Sequence, residues 1–317
     1  MKQASKLGAV NKITITEHVV GQRIDNFLLK QLKGVPKSRI YRGLRQGEVR
    51  VNGGRIGPDY RLELDDVVRI PPLRVSEQHT PGKPSVTLMH LLERNILWED
   101  DGLLILNKPS GMAVHGGSGI NFGVIETLRH LRPQARFLEL VHRLDRDTSG
   151  CLMIAKKSSV LREIHLLLQQ HKVTKIYWAL VRGKWHEGYR TVSAALLKNQ
   201  LRSGERMVKV SEEGKPAVTL FKPLEYFKEA TLIEATLQTG RTHQIRVHAT
   251  HLGHPLAGDE KYGDKLFNKA MREVGCKRLF LHAYQLQFTL PANSQTIAVT
   301  AALPAELQKV LKHLSVQ

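Results

Sequence analysis

Residues 140–152 read LVHRLDRDTSGCL, an alternating apolar and polar run that ends in an Asp-Arg-Asp-Thr-Ser-Gly turn. Asp145 and Asp147 stand there beside Arg143 and Arg146, in a chain with 48 Lys and Arg against 29 Asp and Glu. Local composition leaves two readings open. Asp147-Thr148-Ser149-Gly150 has the residues of an Asx turn, so both carboxylates could be turn formers neutralised by neighbouring arginines. Alternatively Asp145, at the end of a strand, points into a cleft as a chemical group. A glycosidase-like pair of acids is a weaker third reading, because such pairs usually come from different segments.

Working outward, the segments around this stretch are rich in strand signals. DGLLILNKP, FLELVHRL, GCLMIAKK, KIYWALVRG, ATLIEATLQ, HQIRVHA and AYQLQFTL all alternate or are β-rich. Helical spacing occurs near 123–131 and 158–171, and in the C-terminal PAELQKVLKHL. Strands and helices do not alternate regularly, which predicts an α+β domain, mainly antiparallel, over 87–317. Ahead of it, residues 71–86 carry four prolines and read as a linker. Residues 13–70 form a smaller unit: a short strand, a helix over QRIDNFLLKQL, a second helix over PKSRIYRGLRQG, then a hairpin at Asn52-Gly53-Gly54. LELDDVVRI closes that unit as a strand, and residues 1–12 read as a polar tail.

The formal net charge of +19 is large and dispersed, so a polyanionic partner is expected. No long amphipathic helix with a basic face is evident, which favours nucleic acid over a membrane surface. No run reaches the length of a membrane span and the N-terminus lacks an apolar signal core, so a soluble cytoplasmic protein is expected. The two cysteines, Cys151 and Cys276, are far apart, which excludes a thiolate zinc site and argues against a disulfide framework. In the small unit, Arg23, Lys30, Lys33, Lys37, Arg39, Arg42 and Arg45 cluster on the helix pair. Ser38, Arg42 and Arg45 fall along one helical face, while Ile40 and Leu44 are available for the core. Such a face suits an RNA backbone, although a merely solvated surface would look similar.

Two further segments of the large domain carry candidate chemistry. LNKPSGMAVHGGSG, residues 106–119, has four glycines after a strand and could bring backbone amides to phosphates, but it lacks the P-loop order. TGRTHQIRVHATHLGHP, residues 239–255, contains the strand expected over HQIRVHA, with His243, Ile245 and Val247 on one face and Gln244, Arg246 and His248 on the other. Arg246 is then a fixed cation suited to a carboxylate. His248, His251 and His254 raise a metal alternative, yet their spacing matches no standard helical zinc motif, and no metal is expected.

Several motifs occur together in one order. HRLDRDTSG resembles the HRLDxxTSG signature of the RluA family of pseudouridine synthases; LNKPSGMAVH, TGRTHQIRVH, GHPLAGDEKYG and RLFLHA are similar to other motifs of that family. RIDNFL, SRIYRGLRQGEVRVNG and LELDDVV resemble the S4 RNA-binding domain. Together the resemblances cover nearly the whole chain. They imply an isomerase that needs no cofactor, with Asp145 as the catalytic acid and Asp147 at a variable turn position. They further imply Arg246 as the partner of that acid, Tyr177 as the tyrosine that stacks on the target base, and Arg143 as an aid to displacing the nucleotide. Without the resemblance Tyr177 would pass for an ordinary strand aromatic. Arg246 would hold the acid ionised, as a reacting carboxylate requires. The implied partner is large-subunit (23S) rRNA, bound with help from Lys37, Arg39, Arg42 and Arg45 by a monomer that does not act on DNA. Charge and the S4 pattern alone would also permit synthesis of pseudouridine elsewhere in rRNA or in tRNA, or a noncatalytic ribosome-assembly protein. The histidines alone would permit a metal-dependent hydrolase.

Overall fold

The computed structural model describes residues 10–32, 35–72, 82–117, 122–186, 188–200, 206–292 and 294–315. Lys33, most of the expected tail and residues 73–81 of the expected linker lie outside them. The chain divides into two compact units, residues 1–82 and 83–317.

The first unit runs β1 (Asn11–Thr14), α1 (Ile24–Gln31), α2 (Lys37–Arg45), β2 (Arg50–Val51), β3 (Gly54–Arg55) and β4 (Val67–Ile70). Its sheet has the order β1-β4-β2-β3. The helices form because Ile24, Phe27 and Leu28 of α1, and Ile40 and Leu44 of α2, bury one stripe against Val51, Leu62 and Val68. Gly47 ends α2 with φ +71°, and the Glu48 amide returns to the Gly43 carbonyl at 2.9 Å, a Schellman closure. Asn52 and Gly53, at φ 50° and 80°, make the hairpin turn that the Asn-Gly-Gly sequence predicts.

The second unit begins with α3 (Val86–Arg94), β5 (Ile96–Glu99), β6 (Leu103–Lys108), α4 (Val124–Leu131), β7 (Glu139–Leu140), β8 (Ser149–Ala155) and α5 (Ser158–Gln169). It continues with β9 (Thr174–Arg182), β10 (Arg190–Ser193), β11 (Leu196–Gln200), β12 (Arg206–Val210), β13 (Val218–Tyr226) and β14 (Ala230–Leu237). Last come α6 (Gln244–His251), α7 (Lys265–Glu273), β15 (Leu281–Leu290), β16 (Gln295–Thr300) and α8 (Ala305–Ser315). One large sheet carries the order β10-β13-β14-β9-β15-β8-β6-β5, with β16 on β15 and β7 on β8. Every pairing is antiparallel except β8 with β15, which is parallel over Ser149–Gly150 and His282–Ala283. β8 is buried at all seven positions, so it shows an apolar run rather than an alternation. The α+β class, with a small first unit followed in sequence by a larger one of mainly antiparallel sheet, is the architecture that the sequence predicts.

Three local expectations are corrected. HQIRVHA is not a strand but the start of α6, entered through His243 in the left-handed region at φ 54°. Six of its eight residues are buried, so the helix has contacts on most sides and no amphipathic period to read. The strand expected over FLELVHRL stops at Leu140. Beyond it, the His142 ring takes the Met153 amide at 3.1 Å in place of a ladder bond. Helices α3 and α7 were not expected at all.

Candidate active site

Asp145 opens a tight turn rather than ending a strand: the Thr148 amide donates to the Asp145 carbonyl at 3.2 Å. The turn is tied down along its length. The Arg146 carbonyl accepts from the Lys108 ammonium at 2.9 Å and from the Gly111 amide at 2.9 Å, and the Asp147 carbonyl accepts from Ser110 at 2.7 Å. Lys108, fully buried, also donates to the carbonyls of Pro109 and Met112 at 2.7 and 2.8 Å. Burial brings its ammonium down to about 7. The glycine-rich loop therefore serves as a backing for the turn of Asp145, organised around a lysine that composition did not single out. Asp147 is exposed and belongs to the turn through its backbone.

Asp145 faces a cleft of about 300 Å³ lined by His142, Arg143, Lys175, Tyr177, His243 and Arg246 among others. Arg246 Nη1 lies 3.3 Å from Asp145 Oδ2. Its stronger partner is one the sequence reading gave no role: Asp259 accepts from Nε at 2.7 Å and from Nη2 at 2.8 Å, a bidentate pair. The Asp259 side chain is 1% exposed, Arg246 10% and Asp145 27%. Burial alone would push the Asp259 carboxyl up; the guanidinium and the amides of Tyr262 and Lys261 outweigh it and hold the group below the usual carboxylate range. The arginine is thus clamped from behind and offers its remaining edge to Asp145.

A second group also faces the acid. His243 Nε2 lies 3.8 Å from Asp145 Oδ2, and His243 Nδ1 lies 2.7 Å from the Tyr262 hydroxyl. The Val208 amide donates to that hydroxyl at 3.0 Å. With the Tyr262 proton directed at Nδ1, the Nε2–H of His243 points toward the acid. Burial, with Arg246 adding to it against the pull of Asp145, lowers the His243 imidazole below its ordinary range. Tyr262 also lies under the Arg246 guanidinium, 5.0 Å from ring centre to Cζ. Asp259 and Tyr262 both belong to GDEKYG, so position within that motif was the only sequence signal for them.

Tyr177 sits on β9 with its ring in the cleft and is 7% exposed. Burial, reinforced by the charge of Asp145, raises its phenol above the ordinary range. Arg143 is exposed on the rim. The structure therefore brings Asp145, Arg246, Tyr177 and Arg143 together from three distant segments. Lys37, Arg42 and Arg45 lie in the other unit, exposed on α2, while Arg39 is half-buried and paired with Glu48 at 2.6 Å. Two of the three histidines have separate structural uses. His248 is buried between the Thr219 hydroxyl and the Ala194 carbonyl, both at 2.9 Å, and His254 bonds the Arg182 carbonyl at 2.8 Å. Among the described residues no group of three His, Cys, Asp or Glu could hold a metal ion. No helix among them is long and apolar enough to cross a membrane.

A carboxylate held by a clamped arginine, facing a tyrosine over an antiparallel sheet, defines a class. The sequence profile of RNA pseudouridylate synthase matches residues 102–251, that of the S4 domain matches residues 22–68, and the chain belongs to the RNA pseudouridylate synthase family. Among its relatives is the ribosomal large subunit pseudouridine synthase C of Pasteurella multocida, 57% identical, covering 98% of this chain and 95% of that one. The proteins of that name from Haemophilus influenzae and Escherichia coli are 57% and 55% identical, covering 99% and 96% of this chain and 98% and 97% of theirs. Of solved structures, human RNA pseudouridylate synthase domain containing 4 is similar with a TM-score of 0.60. It is 27% identical and covers 72% of this chain and 96% of that one.

Proposed function

We propose that this enzyme converts specific uridines of the 23S rRNA of the large ribosomal subunit to pseudouridine, with Asp145 as the reacting carboxylate. The observation that carries the reading is the meeting of Asp145, Arg246 and Tyr177 in one cleft. The names borne by relatives 55–57% identical over almost the full chain support the substrate.

The reaction breaks the bond between N1 of uracil and C1′ of the ribose, turns the base and joins C5 to C1′. The proton leaves C5 and N1 gains one, so the change is an isomerisation that needs neither redox cofactor nor metal. The base must leave the helix stack to be reached, at a cost of roughly a few kcal/mol. Stacking on Tyr177 recovers about 1–3 kcal/mol of it, and Arg143 on the rim fills the space the nucleotide vacates. Arg246, 3.3 Å away, pairs with the Asp145 carboxylate and orients it. The exposed Lys37, Arg42 and Arg45, with Arg39 beside them, attract the RNA backbone. The enzyme acts as a monomer on RNA rather than DNA, in the cytoplasm where ribosomal subunits are made.

The test is tritium release from rRNA labelled at uridine C5. Asp145→Asn is expected to bind RNA as the parent does and to release no tritium; release at the parental rate overturns the assignment. Carbodiimide mapping of pseudouridine in a deletion strain addresses the substrate. Loss at 23S rRNA sites supports it, whereas intact 23S rRNA with loss in tRNA replaces it.

A further inference from the structure

The RLFLHA motif, residues 278–283, lends Leu281 to the wall of the Asp145 cleft, and two of its polar side chains meet the other end of the catalytic turn. Ser149, the last turn residue and the first of β8, is 1% exposed. Its hydroxyl lies 2.6 Å from Arg278 Nη2 and 2.8 Å from His282 Nδ1. His282 Nε2 lies 3.0 Å from the Ala301 carbonyl.

The direction of every bond in this chain follows from what each atom can do. A carbonyl only accepts, so His282 Nε2 carries a proton. Burial brings the imidazole down to about 4, so it is neutral near pH 7 and its Nδ1 is an acceptor. The Ser149 hydroxyl then gives its one proton to His282 and accepts from Arg278. The sequence Arg278 to Ser149 to His282 to Ala301 has a single consistent orientation, which fixes the serine rotamer.

The backbone repeats the constraint. β8 and β15 pair in parallel here, Ser149 with His282 and Gly150 with Ala283. Gly150 has φ +107°, and a Cβ on it would fall 2.2 Å from the Ala283 carbonyl oxygen. Only glycine permits that approach. On its other edge β15 pairs Ala283 with Tyr177. The same residues of β15 therefore hold the turn of Asp145 on one side and the tyrosine of the cleft on the other.

We propose that Arg278, Ser149 and His282 are positioning residues for catalysis, a directional hydrogen-bond chain that sets the Asp145 turn in register with Tyr177 and Arg246. The proposal rests on the reading of Asp145 as the reacting acid. Displacement of a reacting group by about 1 Å costs roughly a hundredfold in rate, so loss of the chain should appear in turnover and not in RNA binding.

The experiment compares Ser149→Ala, His282→Leu and His282→Gln in the full-length enzyme. It measures thermal unfolding, kcat and KM on C5-tritiated large-subunit rRNA, and the nitrogen NMR spectrum of the His282 ring. Ser149→Ala and His282→Leu should lose about ten- to hundredfold in kcat at unchanged KM, below their unfolding temperatures. His282→Gln can still accept from Ser149 and donate to Ala301, and should regain most of the loss. The parent ring should show an unprotonated Nδ1 and a protonated Nε2. A kcat within twofold of the parent for Ser149→Ala, or a protonated Nδ1, overturns the proposal. Should Ser149→Ala fail to fold, equal turnover of the two His282 variants overturns it as well. The ring tautomer is read without activity, so a wrong tautomer is distinguishable from a failure of Asp145 as the acid.

Discussion

The two units use the same residue types in opposite ways. On α2 the cations Lys37, Arg42 and Arg45 are exposed, free to follow a phosphate backbone. In the catalytic unit Lys108 and Arg246 are 0% and 9% exposed and committed to named acceptors. An exposed charge acts at a distance and is screened by salt; a buried one costs desolvation, which bonds to fixed acceptors offset. The first arrangement suits attraction at a distance, the second suits fixed position.

That contrast can be broken most readily at Asp259. Asp259→Asn replaces one acceptor of the bidentate pair with a donor, which frees Arg246 to swing. Single-turnover rates should fall roughly a hundredfold with the RNA dissociation constant unchanged. An equal loss in binding would show that Arg246 serves affinity after all. Acid is a milder probe of the same unit. Burial brings the imidazoles of His142 and His282 down from 6.5 to about 4, so the unfolded chain takes up protons that the folded one refuses. Stability from these groups is complete above pH 6.5 and is lost as pH falls toward 4, on the order of 3 kcal/mol for each. Urea midpoints across that range should drop, and His282→Gln should flatten the fall. The smallest effect is expected on α2. Arg42→Ala with Arg45→Ala should raise KM several-fold at low salt and leave kcat alone, with the slope of log affinity on log salt shallower by about one per lost phosphate contact. A fall in kcat there would blur the division of labour.

Much of this was legible from residues alone. The S4-like unit could be followed because its helices are amphipathic and its turns are marked by Gly47 and Asn52-Gly53. α6 was misread because it is buried nearly all round, and a helix without a wet side alternates as freely as a strand. Within the site, Asp145, Arg246 and Tyr177 were legible through motif order. Asp259 and Lys108 were not, because their meaning is a partner and no periodicity encodes a partner. Arg246 was expected to belong chiefly to Asp145; the structure gives its two shorter bonds to Asp259.

The parallel contact between β8 and β15 spans only two residue pairs, yet it joins one half of the large sheet, β5-β6-β8, to the strands that begin with β15 and β9. Asp145 lies between β6 and β8 of the first half, while Tyr177 lies on β9 of the second and Arg246 on α6, which follows β14. Ser149 and His282 are 133 residues apart, so this junction is closed late, when the last quarter of the chain is at hand. During synthesis the acid, the tyrosine and the arginine all emerge before the strand that brings the halves together. The contact that sets the turn of Asp145 beside Tyr177 is therefore made by a strand that follows all three cleft side chains in sequence, across a separation of 133 residues.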